Sequence, residues 1–295
     1  MAEAEVKKER IQLLVLLAEM ILCIVLYFWM TALNEGAFSW KRVAMDGSRT
    51  GIESVTQDNV GTALGVFDDD MYTAPSGLVT ELDDPLAECA AILMECQGRL
   101  APLKEVVGHS AKMMMNLRTQ PDLPLPNLFA DILRAKGSEY FGVPMDFAIT
   151  NYGGIRVPMP KGAITKEDIS NMFPFENYMV YAKVSGEGLL SLFNQLAQTE
   201  AFQAVSGARI LVRDHQLVEA LIGGEPVDPE RIYNVTTIDF LLGGGDRIAI
   251  GAIASDVVLT HVLLKDIMFE YVEKCEAQGI VIDSEPDGRV VMEES

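Results

Sequence analysis

Three short stretches of this 295-residue chain combine residue types that could grip a small ligand. In "TNYGGIRVPMPKGAIT" (Thr150 to Thr165), Arg156 stands directly behind an Asn-x-Gly-Gly turn formed by Asn151, Tyr152, Gly153 and Gly154. A guanidinium behind two glycines can meet an anion that the backbone lets come close. "DFLLGGGD" (Asp239 to Asp246) closes an expected strand with Gly243, Gly244, Gly245 and an acid. Glycines there let a ligand touch backbone N–H donors, Asp246 can accept from a pair of hydroxyls, and Phe240 can stack on a ring. "MFPFENYMVY" puts Phe175 and Asn177 after a proline turn. This pairs an aromatic face with an amide that can read the edge of a flat ring. Each stretch also has a plain reading: a surface arginine pairing one of many acids, a post-strand turn with an acid in water, a core aromatic. None of the glycine patterns has P-loop or Rossmann spacing.

Other chemistry is hard to assemble. The four cysteines form no CxxC pair, which argues against a thiolate zinc site. Cys89 and Cys96 are two helical turns apart, roughly 10 Å, too far for a disulfide. Cys23 lies in an apolar run, and Cys275 stands alone in an expected late helix. The histidines His109, His215 and His261 stand apart from one another, and no His–Asp pair is adjacent to Ser185 or Ser206.

Composition narrows the partners. The chain is 49% hydrophobic and 22% charged, with 43 acidic residues against 23 basic ones and a net charge of -20. Such a balance repels nucleic-acid backbones, which need clustered Lys and Arg. The basic clusters are Lys7, Lys8 and Arg10, and the pair Lys41 and Arg42.

The elements that would position the three stretches follow from hydrophobic period and capping. A helix is expected over Asp84–Leu100, with Pro85 in its first turn, and another over "LPNLFADILRAKG", ending at Gly137. "MDFAIT" reads as a buried strand leading into the Asn-Tyr-Gly-Gly turn. Thr165 and Asp168 form a capping box opening "TKEDISNMF". "YMVYAKV" is a strand and "GEGLLSLFNQLAQ" a helix. "ARILVRD", "HQLVEALI" and "RIYNVTTIDFL" are strands, and a long helix is expected over Ser255–Lys274. Residues 34–80 show no clear period and read as strands or loops. The expectation is an α/β, or layered α+β, domain: a mixed sheet with flanking helices over residues 100–292.

Taken together, "NYGGIR … PKGAITKEDI … FPFENYMVY … V-S-G … GGEPVDPERIYNV-TTIDFLLGGGD" resembles the C-terminal domain of the 5'-nucleotidase family in order and spacing. The resemblance spans residues 100–292. It implies a domain that binds the nucleoside part of a nucleotide. Phe175 and Phe240 would sandwich the base, Asn177 would contact its edge, and Asp246 would take the ribose hydroxyls. Arg156, with Asn151 ahead of it, would face the phosphate, and Arg118 in "MMMNLRTQPD" would match a further family arginine. Gly154, Gly207, Gly244 and Gly245 complete the implied site. The family usually follows its acid with Gly, where this chain has Arg247.

Full-length members of that family also carry a metallophosphatase domain, whose two metals need Asp-x-His, Asn-His-Glu or Asp, and Gly-His-x-His ligands. "GHS" at Gly108–Ser110 lacks the second histidine. The resemblance therefore implies a chain without a cofactor of its own and inactive alone, with divalent metals on a separate metallophosphatase chain. A nucleotide-binding protein without turnover is the alternative.

Ile11 to Leu33, "IQLLVLLAEMILCIVLYFWMTAL", is about the ~20 residues needed to span a bilayer and carries one charge, Glu19. Lys7, Lys8 and Arg10 before it favour residues 1–10 in the cytoplasm and the rest outside. The expected order is a cytoplasmic tail (1–10), a transmembrane anchor or uncleaved signal (11–33), an extracytoplasmic lead-in (34–99) and a periplasmic or extracytoplasmic nucleotide-binding domain (100–292).

Overall fold

Every residue of the strand Phe147–Thr150 is buried, as a strand covered on both faces must be. The computed structural model that shows this describes residues 60–117, 120–199 and 202–294. The expected anchor at 11–33, the tail before it and Arg118 lie outside these residues. No helix among the described residues is long and apolar enough to cross a membrane.

The chain divides into two units, one ending at Leu82 and one starting at Asp83. In the first, helix α1 (Val60–Leu64) precedes strands β1 (Val66–Phe67), β2 (Met71–Thr73) and β3 (Val79–Glu81), which form an antiparallel three-stranded sheet. The phenol of Tyr72 on its middle strand donates to the Leu64 carbonyl.

The second unit runs in the order α2 (Pro85–Leu100), β4 (Val106–Ser110), α3 (Pro124–Phe141), β5 (Phe147–Thr150), β6 (Gly162–Thr165), α4 (Lys166–Met172), β7 (Tyr178–Ser185) and α5 (Gly186–Ala197). It continues with β8 (Ala204–Ser206), β9 (Ala208–Arg213), β10 (Gln216–Ile222), β11 (Glu225–Pro226), β12 (Ile232–Ile238), α6 (Asp239–Leu242), α7 (Ile250–Ile253), β13 (Ala254–Leu263), α8 (Leu264–Ala277) and β14 (Val290–Glu293). Its central five-stranded sheet has the order β13-β7-β12-β5-β8. β5 and β12 run parallel, and the other neighbours antiparallel. A second sheet, β11-β10-β9-β14, carries one parallel pair, and β4 pairs with β6. The architecture is mixed α/β with mixed sheets, as expected.

One apolar core joins these layers. Leu125, Phe129 and Leu133, one face of α3, are fully buried with Phe147 and Ile149 of β5 and Phe193 of α5. Each such side chain contributes about 1.5–3 kcal/mol relative to exposure. The capping box is present, with the Asp168 carboxylate accepting from Thr165 N and the Thr165 hydroxyl accepting from Asp168 N. Asp84 caps α2 by accepting from Leu86 N at 2.8 Å.

Three expectations need correction. The helix expected over Ser255–Lys274 is a strand to Leu263 and a helix only from Leu264. Val257, Val258, Thr260 and Val262 fit a pleated surface, and β7 offers them a partner along its length. His261 therefore lies on a strand, its ring 6.2 Å from that of Tyr178. The helix expected to stop at Gly137 runs on to Phe141 and ends at Gly142, whose φ of 66° supplies the left-handed cap. Gly137 serves packing instead, because a Cβ there would sit 2.1 Å from Thr236 Oγ1. Finally, the strand expected to run through "DFL" ends at Ile238, and Asp239–Leu242 turns as a helix.

Candidate functional site

The sheet topology brings the three stretches to one place. β5 and β12 are parallel neighbours, so Asn151–Arg156 and Asp239–Asp246 leave the same end of the sheet. β7 runs antiparallel to β12, with Met179 opposite Ile238, so the segment entering β7 through Phe175 and Asn177 starts at that end too. Brought together there is a cleft of about 270 Å³ lined by Asn151, Gly153, Gly154, Arg156, Phe175, Asn177, Phe240 and Asp246. Ligands of open α/β sheets commonly bind outside strand ends.

Arg156 is exposed, and among the described residues its guanidinium forms no ion pair. It lies 5.6 Å from the centroid of the Phe175 ring, a cation–π contact, and Nη1 donates to the Gly153 carbonyl at 3.4 Å. The acid partner of its plain reading is not found among the described residues. Its loop is fixed from behind. Asn116 Nδ2 donates to the carbonyls of Tyr152 and Ile155, both at 2.7 Å, and Arg156 N donates to Met172 O at 2.9 Å. Tyr152 is buried and its hydroxyl donates to Pro121 O at 2.8 Å. Burial pushes this phenol well above the usual tyrosine range, so it stays a protonated donor.

Phe175 and Phe240 are 46% and 44% exposed. Two such open rings lining one cleft form a patch rather than scattered surface side chains, and Phe175 is not the core aromatic of its plain reading. Phe240 sits on the turn that begins at Asp239, whose carboxylate accepts from Tyr178 N at 3.1 Å and Phe240 N at 2.8 Å. Asp239 thereby ties the β12 exit to the β7 entry. Asn177 is half-buried, and its carbonyl accepts from Leu264 N at 3.0 Å.

The glycines after Phe240 have separate jobs. Gly244 has φ 95°, which bends the chain back. A Cβ on Gly245 would lie 2.4 Å from Phe240 Cε1, so only glycine lets that ring lie against the turn. Asp246 and Arg247 follow with φ of 49° and 64°, left-handed values that non-glycine residues avoid. Gln195 on α5 donates to the Arg247 carbonyl and holds this turn. Asn151 is buried, and its Nδ2 donates to Asp246 Oδ2 at 2.6 Å. Its Oδ1 is buried without a partner, and a Cβ on Gly154 would press on that atom at 2.9 Å.

Gly207 does not join the cleft. Its φ of 83° serves the step from β8 to β9, where a Cβ would lie 2.2 Å from Asp146 O, and it lines a different cavity. Asn116, Asp239 and Gln195 were missed by the sequence reading. Asp239 alone left a signal, an acid opening a turn after a strand. Among the described residues no group of three or more His, Cys, Asp or Glu could hold a metal ion. His109 pairs with Glu276 at 3.0 Å, and His215 lies in the β9–β10 turn with φ 61°.

Residues 106–252 match the family described as 5'-nucleotidase, C-terminal domain. Protein UshA of Escherichia coli K12 is 28% identical over 149 residues, 49% of this chain and 27% of that protein. Cell wall protein Lmo0130 of Listeria monocytogenes is 26% identical over 232 residues, 70% of this chain and 29% of that protein. The structure of the 5'-nucleotidase precursor from Thermus thermophilus superposes with a TM-score of 0.61 at 25% identity, over 74% of this chain and 45% of that one. In each comparison this chain spans less than half of the other protein's length.

Proposed function

Since residues 106–252 belong to the 5'-nucleotidase C-terminal domain family, we propose that the cleft binds a nucleoside 5'-phosphate and serves a split 5'-nucleotidase. Phe175 and Phe240 take the base between them, and Asn177 reads its edge. Asp246, steadied by Asn151, accepts from the ribose hydroxyls. Arg156 meets the phosphate, with Arg118 as a second cation. Gly154, Gly244 and Gly245 give the backbone its close approach. Hydrolysis belongs to a separate metallophosphatase chain, which supplies the divalent metals. The residues of this chain bind and orient the substrate, and no bond-breaking step is assigned to them. Residues 11–33 anchor the protein, with the nucleotide-binding domain on the extracytoplasmic side.

The observation that carries this reading is an uncommitted guanidinium in the same cleft as two half-exposed aromatic rings and a tethered carboxylate. A point cation beside stacking faces and a hydroxyl acceptor matches the three parts of a nucleotide. The test is phosphate release from AMP by the purified chain, with and without a co-expressed metallophosphatase, beside direct titration of AMP. Binding without turnover, with turnover appearing on addition of the second chain, is expected. Metal-dependent AMP hydrolysis by this chain alone, abolished by chelator, would sink the division of labour. Binding that never gains turnover with any metallophosphatase favours the binding protein without turnover.

A further inference from the structure

The Val205-Ser206-Gly207 motif, left unused by the nucleotide cleft, opens onto a second, polar cavity of about 250 Å³. Three arginines line it: Arg134 from α3, Arg209 from β9 and Arg289 ahead of β14. Two carboxylates also line it, but both are bound by one of the three. Arg289 donates to both oxygens of Asp131, at 2.8 Å each, and to both oxygens of Asp287, at 2.9 and 2.7 Å. That pairing holds the Asp287 carboxyl below its ordinary range, with a smaller push from the field of Arg209.

The other two arginines have no such partner. Arg134 donates to neutral acceptors, Nε to Ser206 Oγ at 2.9 Å and Nη1 to Met145 O at 3.3 Å. The Ser206 hydroxyl donates its own proton to Asp131 Oδ1, which fixes Oγ as acceptor towards Arg134. The exposed Arg209 guanidinium makes neither a hydrogen bond nor an ion pair among the described residues. Counting three arginines against two carboxylates leaves the cavity one positive charge in excess. The chain carries 43 acidic residues against 23 basic ones, yet neither the Arg134 nor the Arg209 guanidinium has an acid as ion-pair partner among the described residues. Two unpaired guanidinium groups on one cavity, over a glycine whose Cβ would sit 3.2 Å from Arg134 Cδ, make an opening for an anion from outside.

We propose that this cavity is a second binding site, for a small oxyanion or the phosphate end of a larger ligand, gripped by Arg134 and Arg209 while Arg289 is held off by its two carboxylates. It uses none of the residues of the nucleotide cleft, so either reading can fail without the other.

The experiment is calorimetric titration of the full chain with inorganic phosphate at fixed ionic strength, in an Arg156→Ala background that mutes the nucleotide cleft. Saturable one-to-one binding is expected to remain. Adding Arg209→Ala, a surface change, should weaken it about tenfold or more, since charge-assisted contacts to phosphate are the strong ones. Arg209→Lys should recover only part, having charge without the planar fork. Arg134→Gln should act in the same direction. Glycerol 2-phosphate binding more tightly than phosphate identifies an organic ester as the fitting ligand; the reverse identifies the free oxyanion. Loss of all phosphate binding in Arg156→Ala, or equal titrations with and without Arg209→Ala, would overturn the proposal.

Discussion

Gly245→Ala tests whether Phe240 works as a stacking platform. A Cβ at 245 would lie 2.4 and 2.5 Å from two Phe240 ring carbons and 2.5 Å from the Phe240 carbonyl oxygen, where ordinary contact begins at 3.4 Å. The ring would have to retreat by about 1 Å, and it cannot retreat alone, because the carbonyl is backbone and the turn must open with it. Such overpacking costs typically about 1–3 kcal/mol of stability. The larger effect should be on binding, since base–aromatic stacking is worth ~1–3 kcal/mol and depends on the ring plane. AMP and adenosine should both bind about tenfold or more weakly by calorimetry, with circular dichroism unchanged. The control is Gly243→Ala, where φ is -86° and a Cβ meets nothing within 4 Å; it should bind as wild type. If Gly245→Ala binds adenosine with unchanged affinity, or both alanines weaken it equally, the role given to Phe240 is wrong.

Arg156→Ala should weaken AMP binding by roughly 1.5–3 kcal/mol and adenosine binding far less, with Arg156→Lys recovering part; equal losses for both ligands would contradict a phosphate role. Arg247→Gly should relieve a φ of 64°. A left-handed residue costs ~1–2 kcal/mol and glycine's looser unfolded chain gives back ~0.4–1 kcal/mol, so urea unfolding should show a gain of up to about 1.6 kcal/mol. In acid, the contact between Asp287 and Arg289 fails in a set order. The hydrogen bond from Arg289 lowers the Asp287 pKa below 3.8, so its stabilisation is complete above that value and lost as pH falls through the folded one. Melting temperature should drop below about pH 4, less steeply in Asp287→Asn, and parallel curves would refute the assignment.

Much of this was legible in the sequence where local chemistry decides. The Thr165–Asp168 box and the apolar run Phe147–Thr150 behaved as their spacing required, because capping and full burial leave few alternatives. Ala254–Leu263 misled because a run such as Val-Val-Leu-Thr-His-Val satisfies either period, and its state was decided by β7, far away in sequence. Gly207 was read with the cleft because its motif follows in order; order does not say that its positive φ turns β8 into β9. Nor could spacing reveal Asn116, whose amide clamps two carbonyls more than thirty residues on.

The cleft depends on keeping a cation and an anion apart. Arg156 and Asp246 line the same 270 Å³ yet form no ion pair. Had they met, the pair would have filled the space and spent both charges on each other, at a high desolvation cost to any ligand that had to part them. Asn151 holds Asp246 instead. Its amide is neutral, so at 2.6 Å it fixes Asp246 Oδ2 without cancelling the carboxylate's charge. Burial leaves Asn151 little room to swing, and the strained backbone at Asp246 and Arg247 keeps the carboxylate on its own side. On the other side Phe175 and the Gly153 carbonyl give Arg156 contacts that likewise leave its charge unspent. A ligand with a hydroxyl pair at one end and an anion at the other can then satisfy both groups without breaking an internal salt bridge. On the function proposed above, this neutral tether is the feature that readies the cleft for such a molecule.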